Sequence, residues 1–267
     1  SQMVFHFEKI NGARVTYSGD DIPEKENAIV ISNHLGFTDI YLLHGFAQLK
    51  KMLSAQRYFA KDSLKWMPIF GWGLYLMGFI FLKRDWLADR GRIEEVFSGI
   101  KQRRSPIWIV SYVEGSRITK EKLQKSKVFA KKRNLPALRY LMVPRTKGFV
   151  ATINSFREDG LIKAVYDLTL IYYNSKTNEM QHAPNIARVY SDNLKEYKFH
   201  VHVKRHLIKD LPNSEEELTN WLLQQWKEKD DYLEDYRLKN NWNFSSTLSS
   251  DNDETDKVKN SIKKKIN

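Results

Sequence analysis

Short apolar runs alternate along the chain with longer stretches in which apolar residues recur every three to four positions. The short runs are rich in β-branched and aromatic residues, which is typical of strands. They are Ala28–Ser32, Met77–Leu82, Ile107–Val113, Leu141–Val143, Val165–Tyr173 and, with strict alternation, Phe199–Arg205. The helix-period stretches between them are Thr38–Leu49, Asp89–Arg103, Lys120–Arg133 and Thr146–Phe156. Strands that alternate with helices predict an α/β fold, a single domain with a mostly parallel central sheet flanked by helices.

The carboxy-terminal third holds one long helical pattern and then a change of composition. Residues Ser214–Tyr236 are predicted to form a single helix, with Ser214 as its cap and Glu217 completing a capping box. From Asn240 the chain turns to Asn, Ser, Asp and Lys, a composition that does not support a packed core. The sequence therefore predicts one domain over residues 1–239 and a polar tail without packed structure over residues 240–267.

One apolar segment allows two interpretations. Trp66–Leu82 carries no charged residue and is near the lower length limit for a membrane-spanning helix. The segment also contains Pro68 and three glycines, which disfavour a regular helix. A span here would place the segments around His34 and Glu114 on opposite sides of a bilayer. We therefore favour a membrane-dipping or acyl-tunnel segment that leads into a buried strand.

The amino-acid composition excludes some kinds of site and favours one kind of partner. The chain has no cysteine, which excludes disulfides, thiolate zinc sites and a cysteine nucleophile. Its formal charge is +12, which favours partners that carry phosphate groups. No metal site is predicted, because His200, His202 and His206 alternate with Lys and Arg in the manner of a basic strand.

The first candidate for chemistry is the segment Ser32–Asp39, between a predicted strand and a predicted helix. On a continuous helix, residues five apart point about 140° away from each other, so His34 and Asp39 can meet only across a turn. Gly36 makes such a turn easy. A carboxylate on one ring nitrogen fixes the tautomer of a histidine and leaves the other nitrogen free to accept a proton. The alternative is an ordinary loop histidine followed by an acidic residue in the first helical turn.

Three further clusters follow apolar runs. In the segment Tyr112–Arg117, Glu114 and Arg117 flank Gly-Ser, an arrangement that can bind a phosphate. A surface ion pair in a turn is the alternative. The pair Lys83-Arg84 ends another apolar run, and Val143–Phe149 contains Pro, Arg, Thr, Lys and Gly. Taken singly, these two clusters also fit the charged end of a strand and a strand-to-helix turn.

In this order, the four clusters resemble the motifs of the glycerolipid acyltransferases, a family that includes 1-acylglycerol-3-phosphate and lysophospholipid acyltransferases. The matching segments are Asn33–Asp39, Phe81–Arg84, Val113–Arg117 and Val143–Phe149, and the resemblance runs from about residue 10 to about residue 236. Pro144–Phe149 and Tyr166–Thr169 are similar to the eukaryotic branch with lysophosphatidic acid, lysocardiolipin and lysophosphatidylinositol enzymes. The third motif usually reads Phe-Pro-Glu-Gly-Thr-Arg, whereas Tyr112, Val113 and Ser116 replace three of its residues here.

The resemblance implies an acyltransferase that esterifies the free hydroxyl of a lysophospholipid or lysophosphatidic acid. It implies that His34 is the general base, that Asp39 is its partner, and that acyl-CoA is the co-substrate with no other cofactor. A free hydroxyl loses its proton to His34 and attacks the thioester. The residues expected to bind substrate are Lys83, Arg84, Glu114, Gly115, Ser116, Arg117, Pro144 and Arg145.

An acceptor that lives in a bilayer, together with the basic charge, also predicts a membrane location. An anionic membrane surface is the expected partner, and the endoplasmic reticulum membrane is the expected location, with the site at or near the cytosolic face. The basic helix Lys120–Arg133 suits lipid headgroups or the phosphates of CoA. The alternatives are a non-catalytic lipid- or nucleic-acid-binding protein on the same fold, and a thioesterase. A nucleic-acid partner is not expected, because the basic helix carries one aromatic residue, Phe129.

Overall fold

A computed structural model of the protein describes residues 12–67, 70–76, 78–83, 86–181, 183–184, 188–189 and 194–244. The strands are β1 (Arg14–Gly19), β2 (Ala28–Ser32), β3 (Gln56–Lys61), β4 (Ile80–Leu82), β5 (Trp108–Ser111), β6 (Ala164–Asn174), β7 (Glu179–Met180), β8 (Tyr197–Leu207) and β9 (Asn243–Phe244). The helices are α1 (Asp39–Leu49), α2 (Phe70–Leu76), α3 (Trp86–Arg103), α4 (Lys120–Lys132), α5 (Thr146–Phe156) and α6 (Glu215–Lys239).

The described strands form one mixed sheet in the order β1-β8-β6-β2-β5-β3-β4, with β7 beside β6 and β9 beside β7. Strands β6, β2, β5, β3 and β4 are parallel to their neighbours in that order. Strand β8 runs antiparallel to β6 and parallel to β1. The carboxyl ends of β2, β5, β4 and β6 therefore meet at one edge of the sheet, called the carboxyl edge below. Loops at this edge are where α/β proteins place their ligands.

Helices cover both faces of the sheet, because alternate residues of each strand point to opposite faces. Ala28 and Val30 of β2 pack with residues of α1 and the first turn of α4. Ile29 and Ile31 pack against the other cluster, to which α3, α5 and α6 contribute. The structure thus confirms the predicted α/β fold with a mostly parallel sheet between helices.

The helix predictions hold closely. Helix α5 has the predicted bounds, and α3 begins three residues before the predicted Asp89. The capping box of α6 is present. The Ser214 hydroxyl accepts from the backbone N–H of Glu217 at 3.2 Å, and the Glu217 carboxylate accepts from the backbone N–H of Ser214.

The strand predicted at Leu141–Val143 is wrong. Backbone N–H groups just before this stretch and at its end bond to side chains instead of to a neighbouring strand. Asp230 of α6 accepts from the N–H of Arg139 and from that of Tyr140 at 2.8 Å, and Ser126 of α4 accepts from the N–H of Val143. The apolar residues Leu141 and Met142 are buried in helix–sheet contacts, which explains their strand-like composition.

Four strands are not predicted from the sequence: β7 and β9 are only two residues long, and β1 and β3 carry many polar residues. Strand β1 lies at the edge of the sheet, where side chains such as Arg14 remain exposed. Strand β3 reads Gln-Arg-Tyr-Phe-Ala-Lys and buries only Gln56 and Tyr58 fully. A strand with few buried side chains gives a weak apolar signal.

The segment Trp66–Leu82 forms a short helix and a short strand. In the described part of the chain, no helix has the length and apolar character that crossing a membrane requires. Helix α2 ends before Gly78, whose φ of 74° suits a glycine at a helix end. The predicted strand then begins at Ile80 rather than at Met77, which lies outside the described residues.

The first residues of the predicted tail belong to the packed domain. Trp242 stacks on Tyr173 of β6 with ring centroids 4.0 Å apart, and Asn243 and Phe244 pair with β7. The sequence placed the boundary at residue 239 because polar residues surround this single tryptophan. The rest of the tail, residues 245–267, lies outside the described residues.

Candidate active site

The loop that carries His34 is fixed to the sheet by its neighbour Asn33. The buried amide of Asn33 donates to the carbonyl of Leu170 at 2.9 Å and accepts from the N–H of Leu170 at 2.8 Å. The side chain thus satisfies both backbone groups of a residue in β6, as a neighbouring strand would. Because buried backbone groups need partners, this contact fixes where the loop leaves β2.

The predicted contact between His34 and Asp39 is present. Nδ1 of His34 lies 2.6 Å from Oδ2 of Asp39, the first residue of α1. The same carboxylate accepts from the backbone N–H groups of Leu35 at 2.8 Å and Gly36 at 3.2 Å. These donors close the turn around a fully buried carboxylate and give its oxygens hydrogen-bond partners.

Gly36 is needed in this turn for a reason that the sequence did not reveal. A Cβ atom at this position would lie 2.9 Å from the Cβ of Ala183, so the backbone approaches a neighbouring segment closely. The glycine therefore provides space for this close approach, rather than the positive φ that often requires glycine in turns.

One ring nitrogen of His34 remains available for proton transfer. Tyr112, just beyond β5, stacks on the imidazole with ring centroids 4.0 Å apart and an interplanar angle of 14°. Asp39 occupies Nδ1, and the side chain of His34 is 21% exposed. Burial and the nearby charge of Asp39 raise the pKa of Tyr112 well above its usual value, so this ring stays neutral beside the imidazole.

Backbone hydrogen bonds join the first, third and fourth motifs into one site. The N–H of Ile118 donates to the carbonyl of His34 at 2.9 Å, and the N–H of Arg145 donates to the carbonyl of Val113 at 2.7 Å. Gly115 has a φ of 76°, and a Cβ there would lie 2.5 Å from Nε of Arg145. The turn between β5 and α4 therefore requires glycine, both for its conformation and for the Arg145 side chain.

Glu114, which the sequence predicts to bind substrate, has a side chain that faces the interior. Its side chain is buried, and it faces Lys229, the indole of Trp226 and the backbone N–H groups of His34 and Met142. Neither carboxylate oxygen has a hydrogen bond of standard geometry within the described residues. Burial raises the pKa of Glu114 to about 8 in spite of the nearby lysine. This geometry favours support of the site over direct contact with a substrate.

Lys229 is the buried cation beneath Glu114. Its Nζ lies 2.5 Å from Oδ1 of Asp167, donates to the carbonyl of Leu168 at 2.8 Å, and sits over the ring of Trp226 at 4.2 Å. Burial lowers the pKa of Lys229, while the two carboxylates oppose that effect. One ammonium group thus lies among two buried carboxylates, so full ionisation of all three leaves one negative charge without a partner.

The remaining predicted substrate residues are spread over the carboxyl edge. Ser116 and Arg117 are half-buried in the turn before α4, Pro144 is buried, and Arg145 is exposed beside Gly115. Lys83 is exposed at the end of β4, three strands from β2, or roughly 14 Å at the ~4.8 Å spacing of strands. Arg84 lies outside the described residues. Roles in substrate binding stay predictions for all of them.

The contacts of Tyr172, Tyr112 and Lys229 in the site do not follow from the sequence. The Tyr172 hydroxyl donates to Oδ1 of Asp39 at 2.6 Å from the far end of β6. Period-two alternation could have placed Tyr172 on one face of β6, but it does not give the register between β6 and β2. Lys229 lies on a helix rich in charged residues, where its sequence neighbours give no sign of burial.

Comparison with known proteins identifies related sequences. Residues 14–172 match the family model described as acyltransferase, and residues 193–266 match the one described as acyltransferase C-terminus. A probable 1-acyl-sn-glycerol-3-phosphate acyltransferase 5 of Arabidopsis thaliana is 32% identical over 232 residues, which are 87% of this chain and 59% of that protein. The 1-acyl-sn-glycerol-3-phosphate acyltransferase 3 of the same plant is 32% identical over 80% of this chain and 55% of its own length.

A similar match extends to an animal protein. Lysocardiolipin acyltransferase 1 of Mus musculus is 31% identical over 240 residues, which are 89% of this chain and 62% of that protein. This chain thus spans between half and two thirds of the length of these three relatives. The resemblance inferred from the four motifs is confirmed, since the first family model alone covers more than half of the residues. By its motifs, its fold and these matches, the chain belongs to the acyltransferase family.

Proposed function

We propose that this chain is the catalytic domain of an acyl-CoA-dependent O-acyltransferase that esterifies a lysophospholipid or lysophosphatidic acid. The observation that carries the proposal is the pair His34–Asp39, with Nδ1 bound to a buried carboxylate and the ring still partly exposed. The relatives named for lysophosphatidic acid and lysocardiolipin as acceptors support an acceptor of this class. Phospholipid biosynthesis or acyl-chain remodelling is the corresponding role.

The proposed reaction needs one base and no covalent enzyme intermediate. Nε2 of His34 accepts the proton of the acceptor hydroxyl while its oxygen attacks the carbonyl carbon of the thioester. The tetrahedral intermediate collapses as the carbon–sulfur bond breaks, and the thiolate of CoA leaves with the electron pair. The imidazolium then returns its proton to that sulfur. Asp39 holds the ring in the tautomer that leaves Nε2 unprotonated at the start.

The substrates are anionic, and the rim of the site is basic. Arg117 and Arg145 lie in or beside the turn between β5 and α4, close to His34 through the backbone contact of Ile118. An arginine can hold a phosphate through two parallel hydrogen bonds. We assign these two side chains to the phosphate of the acceptor, since the backbone of Ile118, next to Arg117, bonds to His34, and that of Arg145 bonds to Val113.

The decisive experiment is an acceptor screen with labelled acyl-CoA. Lysophosphatidic acid, lysocardiolipin, lysophosphatidylinositol and lysophosphatidylcholine are each offered, and free CoA and labelled lipid are measured separately. Transfer to at least one acceptor is expected. Release of CoA without labelled acylated acceptor would instead identify a thioesterase. No turnover with any acceptor would support a non-catalytic binding protein.

A variant pair links the activity to the proposed base. His34→Ala should lower kcat by about 10²- to 10⁴-fold, the usual contribution of a general base. His44→Gln is the matched control, because His44 is a half-buried imidazole on α1 that packs against Tyr58. Burial lowers the pKa of His44 to about 4, so the control removes no charge at neutral pH. Equal activity of the His34 variant and the wild type would overturn the assignment.

The acceptor is an amphiphile, and an exposed apolar surface can bring the site to it. Trp66, Trp72, Tyr75 and Leu76, called the apolar patch, are each between 64% and 81% exposed. Large apolar side chains that are exposed close together are unusual on a protein surface and mark interaction sites. We propose that the apolar patch inserts into an anionic membrane, with the endoplasmic reticulum as the location, and that the basic residues of α4 add electrostatic attraction.

Vesicle flotation tests the membrane proposal. The full chain should float with vesicles of phosphatidylcholine and phosphatidylserine, and high salt should release part of it, because salt screens exposed charges. Trp72→Ser combined with Leu76→Ser should remove the salt-resistant part. Leu238→Ser, which changes an exposed leucine on α6, is the control. Unchanged flotation of the double variant would exclude the apolar patch as the contact.

A further inference from the structure

Tyr172 reaches the candidate site from the carboxyl end of β6. Its side chain is fully buried, and its hydroxyl donates to Oδ1 of Asp39 at 2.6 Å, while His34 uses Oδ2 of the same carboxylate. Burial and the charge of Asp39 raise the pKa of Tyr172 well above its usual value, so the hydroxyl keeps its proton. The phenol therefore remains a hydrogen-bond donor across the working pH range.

The hydrogen-bond donors around Asp39 belong to different parts of the fold. The N–H groups of Leu35 and Gly36 belong to the same loop as His34, so they move with it. Tyr172 belongs to a central strand of the sheet, where β6 pairs on both sides. It is the donor that ties Asp39 to the rigid part of the fold, and a hydrogen bond between a phenol and a carboxylate is of the strong, charge-assisted type.

Other titratable groups also surround Asp39. Tyr112 follows β5, Tyr58 belongs to β3, and the charge of Asp39 acts on the pKa of both. No hydrogen bond from either phenol to Asp39 is present in the described structure, whereas Tyr172 makes one. The loss of the Tyr172 hydroxyl therefore leaves Oδ1 to backbone donors alone.

We propose that Tyr172 is a positioning residue for the reaction, which orients Asp39 and limits how strongly that carboxylate stabilises the imidazolium of His34. Hydrogen bonds from a phenol withdraw charge from a carboxylate. Without the phenol, Asp39 holds the protonated imidazole more tightly, and the base is freed only at higher pH. Tyr172 thus acts through Asp39 and His34 without touching substrate.

The test compares Tyr172→Phe with Tyr166→Phe in the full chain. Tyr166 is also buried, lies on the same face of β6, and donates to a carboxylate, that of Glu26, away from the site. Each variant therefore removes one phenol–carboxylate hydrogen bond of the same strand. Tyr172→Phe should lower kcat about ten- to a hundredfold with little change in either KM, and it should move the acidic limb of kcat/KM to higher pH.

Tyr166→Phe should leave kcat and the pH profile unchanged, although it lowers thermal stability. Equal pH profiles and equal kcat for the two variants would overturn the proposal, because a purely structural role predicts no difference between them. The kinetic comparison rests on the proposed function, so a second measurement is independent of it. The ring nitrogen resonances of His34, followed by NMR in selectively labelled protein, should shift in Tyr172→Phe and not in Tyr166→Phe. A wild type inactive with every acceptor would refute the function, while the resonances would still decide the role of Tyr172.

Discussion

Asp39 and Glu114 are two buried carboxylates in neighbouring turns at the carboxyl edge, and their surroundings are opposite. Asp39 receives hydrogen bonds from His34, Tyr172 and two backbone N–H groups. Glu114 has no hydrogen bond of standard geometry among the described residues, and its pKa is raised to about 8. Asp39 lies on the α1 side of the sheet and Glu114 on the α6 side.

The difference shows how one fold can assign two tasks to the same functional group. A carboxylate surrounded by donors is suited to remain charged and to orient a base. A carboxyl group in a dry pocket with one shared cation is suited to remain protonated at neutral pH. Asp39 therefore belongs to the proposed chemistry, and Glu114 belongs to the support of the turns that carry it.

The largest expected effect is that of Asp39→Asn. The amide keeps the size of the side chain but removes the charge that fixes the tautomer of His34, so kcat should fall by about 10²- to 10⁴-fold. Thermal stability measured by calorimetry should change far less than activity. Wild-type turnover in this variant would show that Asp39 has no part in the mechanism, so that no catalytic role would distinguish it from Glu114.

The next effect concerns the cation on the other side. Lys229→Met removes the partner of buried Asp167 and should lower the free energy of unfolding by about 3–5 kcal/mol, measured in urea. Removing both charges, in Lys229→Met with Asp167→Asn, should recover part of this loss, because no buried charge is then left alone. A double variant less stable than Lys229→Met would show that the two charges do not form the pair.

Glu114→Gln should change the pH dependence of stability. The raised pKa means that the folded protein holds a proton that the unfolded chain loses above its ordinary pKa near 4.5. Wild-type stability from this group is therefore complete at low pH and declines as the pH rises toward about 8, by at most ~1.4 kcal/mol per pH unit. Glu114→Gln cannot titrate, so it should become progressively more stable than the wild type between pH 5 and 8. Parallel curves would mean that Glu114 is already ionised.

The smallest effect is expected at the ring under His34. Tyr112→Phe keeps the stacked ring, and the third motif usually has Phe at this position. The variant loses one hydroxyl contact, which is worth ~0.5–1.5 kcal/mol at most. We therefore expect kcat to stay within about threefold of wild type. Tyr112→Ala opens one face of the imidazole and should cost more activity than Tyr112→Phe. If both variants behave alike, the stacking does not contribute to the orientation of His34.

Much of the fold could be predicted because its signals are local. The apolar run of β2, the helical period of α5 and the capping box at Ser214 each depend on a few adjacent residues. Leu141 and Met142 misled the prediction because burial against helices and burial in a sheet require the same apolar residues. Strands β1 and β3 were missed because their stability comes from neighbours rather than from their own composition.

The site could be predicted only where its residues stand close together in the chain. His34 and Asp39 share one loop, so their contact follows from a turn of fixed length. Tyr172 and Lys229 reach the same edge from β6 and α6, and their contacts depend on strand register and helix packing. The burial of Glu114 could not be read from its motif either, since glutamates are mostly exposed and the adjacent residues do not reveal the distant Lys229.

The pairing of β1 with β8 also affects how the protein is made. Thr16 and His200, whose side chains are in contact, are 184 residues apart in sequence. Strand β1 leaves the ribosome early but can join the sheet only after β8 has been synthesised. Until then one edge of β6 also lacks its partner, and closing so long a loop is slow. The sheet is therefore completed only when the last third of the chain has been synthesised. Synthesis that stops before β8 leaves unpaired strand edges of the kind that chaperones protect.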